Sequence, residues 1–149
     1  MIVKYMDALY PSGPLQLKYR GPAMEAAIYF RPKFISFMLN KDPEREQLLR
    51  DDLNLLFDRL EGFLQFAGTD FLLGEVPCCL DYELFPWLEQ IRNGGAYWKD
   101  LGIPEDATAV RAYMARMTAL PSWQYIRGPD SDTIISWERY SPLKGLYGH

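Results

Sequence analysis

The stretch LLGEVPCCLDY, residues 72–82, places an apolar pair and a glycine just before the start of a helix. Asp81 follows Cys78 by three positions, which is the spacing of a capping box. In that motif the first side chain accepts the N–H at the third helical position, and the acid accepts the N–H of the first residue. Because a thiol is a weaker acceptor than the usual hydroxyl, we expect Asp81 to carry most of the capping at a buried helix start.

Helical periodicity extends from this stretch in both directions. Downstream, an apolar stripe at residues 80, 84, 88 and 91 predicts a helix that ends at the two glycines 94–95. Upstream, Asp42 as N-cap and Gly68 as C-terminal glycine bound a helix predicted over residues 44–67. Its charged face is typical of a solvated surface. Its apolar stripe consists of Leu49, Leu53, Leu56, Leu60 and Phe63.

The remaining segments also show helical patterns. Residues 22–40 form a long apolar stretch in which Pro32 should cause a kink or divide the helix in two. Another helix is predicted to begin at Pro104, and a short last helix at residues 134–140. No segment shows sustained two-residue alternation. The sequence therefore predicts an all-α bundle of about five or six helices.

Composition and charge exclude several classes of function. The 149 residues include 16 basic and 20 acidic side chains, so the net charge of −4 gives no electrostatic footprint for nucleic acid. No apolar run is long enough to span a membrane. The single histidine, His149, is the last residue, which argues against a histidine-dependent triad and against a histidine-based zinc site. We therefore expect no metal.

The two cysteines, Cys78 and Cys79, are adjacent and form no disulfide framework. This favours a reducing compartment, and we expect the cytoplasm. The pair has two interpretations. It is either a vicinal redox or soft-metal pair, or two small residues near the start of a buried helix, and the second interpretation is favoured.

Several segments, in order, resemble the glutathione transferase family. Residues 72–82 resemble the signature of its C-terminal helical domain, which usually has Ser or Thr where this chain has Cys78. Residues 80–89 are similar to the omega class and its thiol-dependent reductase relatives, with their Pro-Trp pair. Residues 119–123 resemble a helix end of the family. Residues 1–11 look like the last helix of its thioredoxin-like N-terminal domain.

This resemblance implies a domain organisation and a place for the chemistry. Residues 1–14 would be a remnant of the last thioredoxin-like helix plus a linker, and residues 15–149 the C-terminal-type helical domain. In the family, the thioredoxin-like domain binds glutathione and supplies the residue that activates the thiol, and it would lie upstream of Met1. We therefore expect no catalytic residue and no cofactor in this chain, which would be truncated and inactive alone.

The resemblance also implies partners and a pocket. Glutathione or a related thiol would bind to the intact architecture, and this domain would bind a hydrophobic electrophile. The protein partner would be the missing thioredoxin-like domain or a second copy of this chain in a homodimer. The implied pocket residues come from three places. Tyr29, Phe30 and Lys33 lie on the first helix and Trp87 follows the capping box, and for these four packing in the core is the alternative. Trp137 and Tyr140 lie near the end, and for them an interface or the core is the alternative.

A second class of function stays open. Helical domains of this type also serve as non-catalytic protein-interaction modules in translation complexes, with elongation factor subunits or synthetases. A large apolar surface without a cleft would favour such a module. A pore-forming channel of the related fold is least favoured, because the sequence has no long apolar helix.

Overall fold

The structure is a computed structural model that describes residues 21–138 and Tyr140. The predicted remnant helix and linker at residues 1–14, and His149, lie outside the described residues. The described helices are α1 (Pro22–Leu39), α2 (Pro43–Ala67), α3 (Cys79–Gln90), α4 (Ala96–Lys99), α5 (Thr108–Ala119), α6 (Pro121–Ile126) and α7 (Asp130–Glu138). A π-helical segment, residues 91–95, joins α3 to α4, so the described chain contains six continuous helical runs.

The all-α class is confirmed. Across residues 21–138 the only strand-like pairing is an isolated bridge between Phe71 and Gly74. None of the described helices is both long and apolar enough to cross a membrane.

Helix α2 matches its predicted limits to within one residue. The Asp42 side chain accepts the N–H of Glu44 at 3.0 Å, which caps the start. Gly68 ends the helix in the left-handed conformation, with φ of 61°, that glycine adopts without strain. Pro32 lies inside the single helix α1, so the alternative of two separate helices is wrong. Fully buried neighbours such as Phe34 and Phe37 hold α1 together through packing.

The predicted helix end at Gly94 and Gly95 is wrong. The helical run continues through the π-helical segment into α4 and ends at Asp100, whose φ is 49°. Both glycines are buried, and a Cβ on Gly95 would lie 2.6 Å from the carbonyl oxygen of Leu101. These glycines therefore serve close packing rather than helix termination.

The core lies between α1, α2, α3 and α5. Rings dominate it: Phe30 of α1 meets Phe57 of α2 edge to face, with ring centroids 5.0 Å apart. Lys99 is also buried at the end of α4, where its Nζ lies 2.8 Å from an Oε of Glu46 and 3.3 Å from the carbonyl oxygen of Asn40. This ion pair fastens α4 to the corner between α1 and α2.

Candidate functional site

The start of α3 is organised by the buried carboxylate of Asp81. It accepts the backbone N–H of Cys78 at 2.7 Å and that of Leu72 at 3.0 Å. It also accepts the hydroxyl of Tyr113, on α5, at 2.9 Å. One carboxylate thus satisfies donors from the preceding loop, the helix start and a second helix. The sequence motif indicates the bond to Cys78, whereas the other two depend on tertiary packing.

The burial and charge of this cluster point to a structural role. Burial, together with the negative charge of Asp81, raises the pKa of the Cys78 thiol to about 12. The same two causes, burial first, raise the pKa of Tyr113 above its usual range. Both groups are therefore neutral at physiological pH, and Cys78 is not a nucleophilic thiolate.

A cavity of about 760 Å³ lies between α1, α3 and α7. Most of its surface is apolar, and its size is within the range of small-molecule sites. The lining consists of Ile35, Leu39, Trp87, Gln90, Asp132, Ile135, Ser136, Trp137 and Tyr140. The arrangement can accept an apolar or aromatic ring.

Trp137 is held in the cavity wall by a hydrogen bond and by ring packing. Its Nε1–H donates to Oε1 of Gln90 at 2.6 Å, and its ring meets Phe34 edge to face at 5.5 Å. A Cβ on Gly94 would lie only 2.8 Å from Trp137 Cδ1. Because Gly94 has no side chain, α7 has the space to pack against the π-helical segment.

Charged groups fix the start of α7. The Arg92 guanidinium donates two bonds of 2.9 Å to Glu89, and two of 3.1 Å and 3.5 Å to Asp130, the first residue of α7. The hydrogen bonds with Glu89 come first among the causes that raise the pKa of Arg92 above its usual range, so this side chain stays charged. The bridge holds α7, and with it one side of the cavity, in place.

The structure brings together three of the predicted pocket residues, Trp87, Trp137 and Tyr140. The other three lie elsewhere. Tyr29 is 48% exposed on α1, and Phe30 is fully buried in the core, which was its alternative. Lys33 pairs with Asp52 of α2 at 2.8 Å. The physical reason is helical phase, because residues 29, 30 and 33 lie on faces of α1 other than that of Ile35 and Leu39.

Sequence reasoning missed Ile35, Leu39 and Ile135 as lining residues. The four-residue spacing of Ile35 and Leu39 was the available signal for a shared face. Within residues 21–138 no three Asp, Glu, Cys or His side chains lie close enough together to hold a metal ion.

Comparison with known proteins gives a consistent set of similarities. A family model described as the glutathione S-transferase C-terminal domain matches residues 42–116, half of the chain. A chloride intracellular channel of Drosophila melanogaster is 33% identical over 107 residues, covering 72% of this chain and 40% of that protein. Glutathione S-transferase DHAR2 of Arabidopsis thaliana is 24% identical over 140 residues, covering 93% of this chain and 63% of its own length.

A solved structure is similar over the same range. The crystal structure of Chlamydomonas reinhardtii dehydroascorbate reductase superimposes with a TM-score of 0.76 at 22% identity, covering 93% of this chain and 64% of that one. The chain thus spans between 40% and 64% of the length of these similar proteins.

Proposed function

The chain belongs to the family of glutathione S-transferase C-terminal domains, and on that premise we propose that it forms the electrophile-binding side of a thiol transferase or thiol-dependent reductase. The observation that carries this proposal is the cavity between α1, α3 and α7, where Trp87, Trp137 and Tyr140 meet. Aromatic rings bind flat apolar molecules through large contact areas at a small cost in conformational entropy.

In such a reaction a thiolate sulfur forms a bond to an electrophilic carbon of the bound molecule while a leaving group, such as the chloride of a chloroarene, departs with its electron pair. With a disulfide, the thiolate forms a mixed disulfide and the other sulfur leaves as a thiolate. The role of this domain is to hold the apolar part of that molecule in the orientation that the attack requires. Cys78 does not supply the thiolate, because its pKa is raised to about 12. Glutathione or a related thiol would supply it, activated by a thioredoxin-like domain or another chain in a cytoplasmic, dimeric assembly.

Two other classes of function are alternatives to this proposal. A protein-interaction module was expected to present an apolar surface without a cleft, and the 760 Å³ cavity favours a ligand-binding domain instead. The name of the Drosophila relative points to a chloride channel, the class that the sequence favours least. Chloride release from lipid vesicles, caused by this chain and absent without it, would support the channel over the transferase.

Binding of a neutral aromatic electrophile tests the proposal directly. Chlorodinitrobenzene should quench the tryptophan fluorescence of the chain with a saturable dependence on concentration. Ser136→Trp places an indole in the cavity lining and should abolish saturable binding. Ser131→Trp is the matched control, because Ser131 is exposed on the same helix and does not line the cavity. Equal binding by the two variants would place the electrophile somewhere else.

The origin of the thiolate has its own test. The 149-residue chain alone, incubated with glutathione and chlorodinitrobenzene, should give no conjugate beyond the uncatalysed rate. Clear turnover that survives substitution of both cysteines by serine would show that this chain activates the thiol without any other domain.

A further inference from the structure

Asn93 is followed by a glycine inside the π-helical segment on which α7 packs. The other two asparagines of the chain, Asn40 and Asn54, precede a lysine and a leucine. An asparagine deamidates when the backbone nitrogen of the next residue attacks its side-chain carbonyl carbon. A following glycine obstructs that attack least, because it has no Cβ and its backbone turns freely. Asn93 is therefore the asparagine of this chain most prone to the reaction once its backbone is free to move.

The reaction needs no reagent other than water. The Gly94 nitrogen forms a bond to Cγ of Asn93 and loses its proton, and the side-chain nitrogen leaves as ammonia, which gives a five-membered succinimide. Water then opens the ring at one of its two carbonyl carbons. One opening gives aspartate, and the other gives isoaspartate, whose main chain is one carbon longer. Each product carries a carboxylate in place of a neutral amide.

The folded chain holds Asn93 away from this reaction. Side chains of a helix tilt towards its N-terminus, so the Asn93 amide points away from the N–H group that follows it. Its Nδ2 donates to Oδ1 of Asp130 at 3.3 Å, and its backbone carbonyl oxygen accepts the N–H of Ala96. Gly95 also has helical angles, with φ of −61° and ψ of −45°. The attack therefore requires the π-helical segment to open and the Asn93 side chain to leave Asp130.

The charge of either product does not suit the folded segment. Deamidation of Asn93 replaces a hydrogen-bond donor by a carboxylate at a place that now lies 3.3 Å from an oxygen of Asp130. Two like charges at that distance repel each other. Arg92 does not offset the new charge, because its guanidinium already binds both Glu89 and Asp130.

The longer main chain of isoaspartate meets a second obstacle, which is close packing. A Cβ on Gly94 would lie 2.8 Å from Trp137, and a Cβ on Gly95 would lie 2.6 Å from the carbonyl oxygen of Leu101. An added backbone carbon displaces these tightly packed glycines. Both products therefore weaken the docking of α7 on the π-helical segment.

We infer that Asn93 is a deamidation site that the docking of α7 protects, and that its conversion releases α7 irreversibly. The bond to Asp130 keeps the amide unreactive while α7 is docked. After α7 has opened and the reaction has occurred, the new carboxylate opposes its return, and water does not restore the amide. This inference concerns the attachment of α7 and holds whichever ligand the cavity binds.

The rate of conversion tests the protection. The 149-residue chain is incubated at mildly alkaline pH, digested at acid pH, and examined by mass spectrometry for the replacement of NH2 by OH at Asn93. The folded chain should react at least about tenfold more slowly than the chain in guanidinium chloride, because only the open fraction reacts. Asn40 and Asn54 serve as internal references and should react more slowly than Asn93 in the unfolded chain. Equal rates for Asn93 in the folded and unfolded chains would overturn the protection.

A variant pair assigns the protection to the contact with α7. Asp130→Ala removes the acceptor of the Asn93 amide and should speed conversion of the folded chain about two- to fivefold. It should leave the rate in guanidinium chloride unchanged. Asp58→Ala, at an exposed position of α2, is the matched control and should react like wild type in both states. The same folded rate in Asp130→Ala and Asp58→Ala would contradict a role for this contact.

The release of α7 has a separate measurement. Asn93→Asp reproduces one product and should speed hydrogen exchange of the α7 amides about threefold or more. Asn54→Asp adds the same charge at an exposed position of α2 and should leave exchange in α7 unchanged. Unaltered exchange in Asn93→Asp would show that α7 stays docked after conversion, and would overturn the release.

Discussion

Asp81 holds three donors that would otherwise be buried without an acceptor. Replacing Asp81 with Ala leaves the N–H groups of Leu72 and Cys78 and the hydroxyl of Tyr113 without their acceptor. We expect Asp81→Ala to lower the free energy of unfolding by about 3 kcal/mol or more in urea titrations. Tyr113→Phe removes a single donor and should cost about 1 kcal/mol. A smaller loss of unfolding free energy for Asp81→Ala than for Tyr113→Phe would contradict this role.

Cys78 gives a prediction about alkaline pH. Its pKa is raised from an ordinary value near 9 to about 12, so the folded state favours the protonated thiol. That contribution to stability is complete below the pKa of the unfolded chain and declines as the pH rises from about 9 towards 12. Unfolding measured from pH 7 to pH 10.5 should show wild type losing up to about 1 kcal/mol per pH unit above pH 9, relative to Cys78→Ser. Parallel curves for the two proteins would show that this thiol titrates normally.

Glu61 of α2 caps the start of α5, a helix whose own N-cap residue, Ala107, has no side-chain acceptor. The Glu61 carboxylate accepts the N–H groups of Ala109 at 2.9 Å and Val110 at 2.8 Å. Burial by itself would raise the pKa of Glu61, but these bonds, with those from Gln65 and Thr108, leave it below its ordinary value. One helix thus supplies the cap of another, which no local motif in α5 indicates.

This cap predicts a pH-dependent stability. A lowered pKa contributes stability above the pKa of the unfolded chain, and that contribution is lost as the pH falls through the folded pKa. Glu61→Gln should be about 1 kcal/mol less stable than wild type at pH 7, with the gap closing below about pH 4. Glu83→Gln, at an exposed position of α3, is the control and should unfold like wild type at both pH values. A gap that persists at low pH would assign the loss to packing.

Gly94 and Gly62 are both helical, and they predict opposite effects of one substitution. A Cβ on Gly94 would lie 2.8 Å from Trp137, whereas a Cβ on Gly62 would meet nothing within 4 Å. Gly94→Ala should therefore displace α7 and destabilise the chain by about 2 kcal/mol, with a shift of tryptophan emission to longer wavelength. Gly62→Ala should stabilise it by about 0.5–1 kcal/mol. Stabilisation by both changes would mean that α7 does not pack on the π-helical segment.

At the scale of the whole chain, the sequence predicts the features that depend on the spacing of neighbouring residues. The limits of α2 follow from Asp42, an apolar stripe and Gly68, and the all-α class follows from the lack of strand alternation. Features that depend on packing were not predictable. Gly94 and Gly95 form a normal helix-stop signal and yet lie inside a helical run, and Lys99, normally a solvated residue, is buried against Glu46. Sequence resemblance indicated the rings that line the cavity, whereas the helical phase of α1 decided that Phe30 is core.

The central claim, that the cavity between α1, α3 and α7 binds the ligand, can be tested with the four tryptophan indole N–H signals of a 15N-labelled chain. Trp87 and Trp137 line the cavity, whereas Trp98 donates to the carbonyl oxygen of Ile134 and Trp123 packs on Phe85. Titration with chlorodinitrobenzene should move the signals of Trp87 and Trp137 in proportion to occupancy and leave those of Trp98 and Trp123 in place. Movement confined to Trp98 or Trp123, or no movement at saturating ligand, would contradict the account.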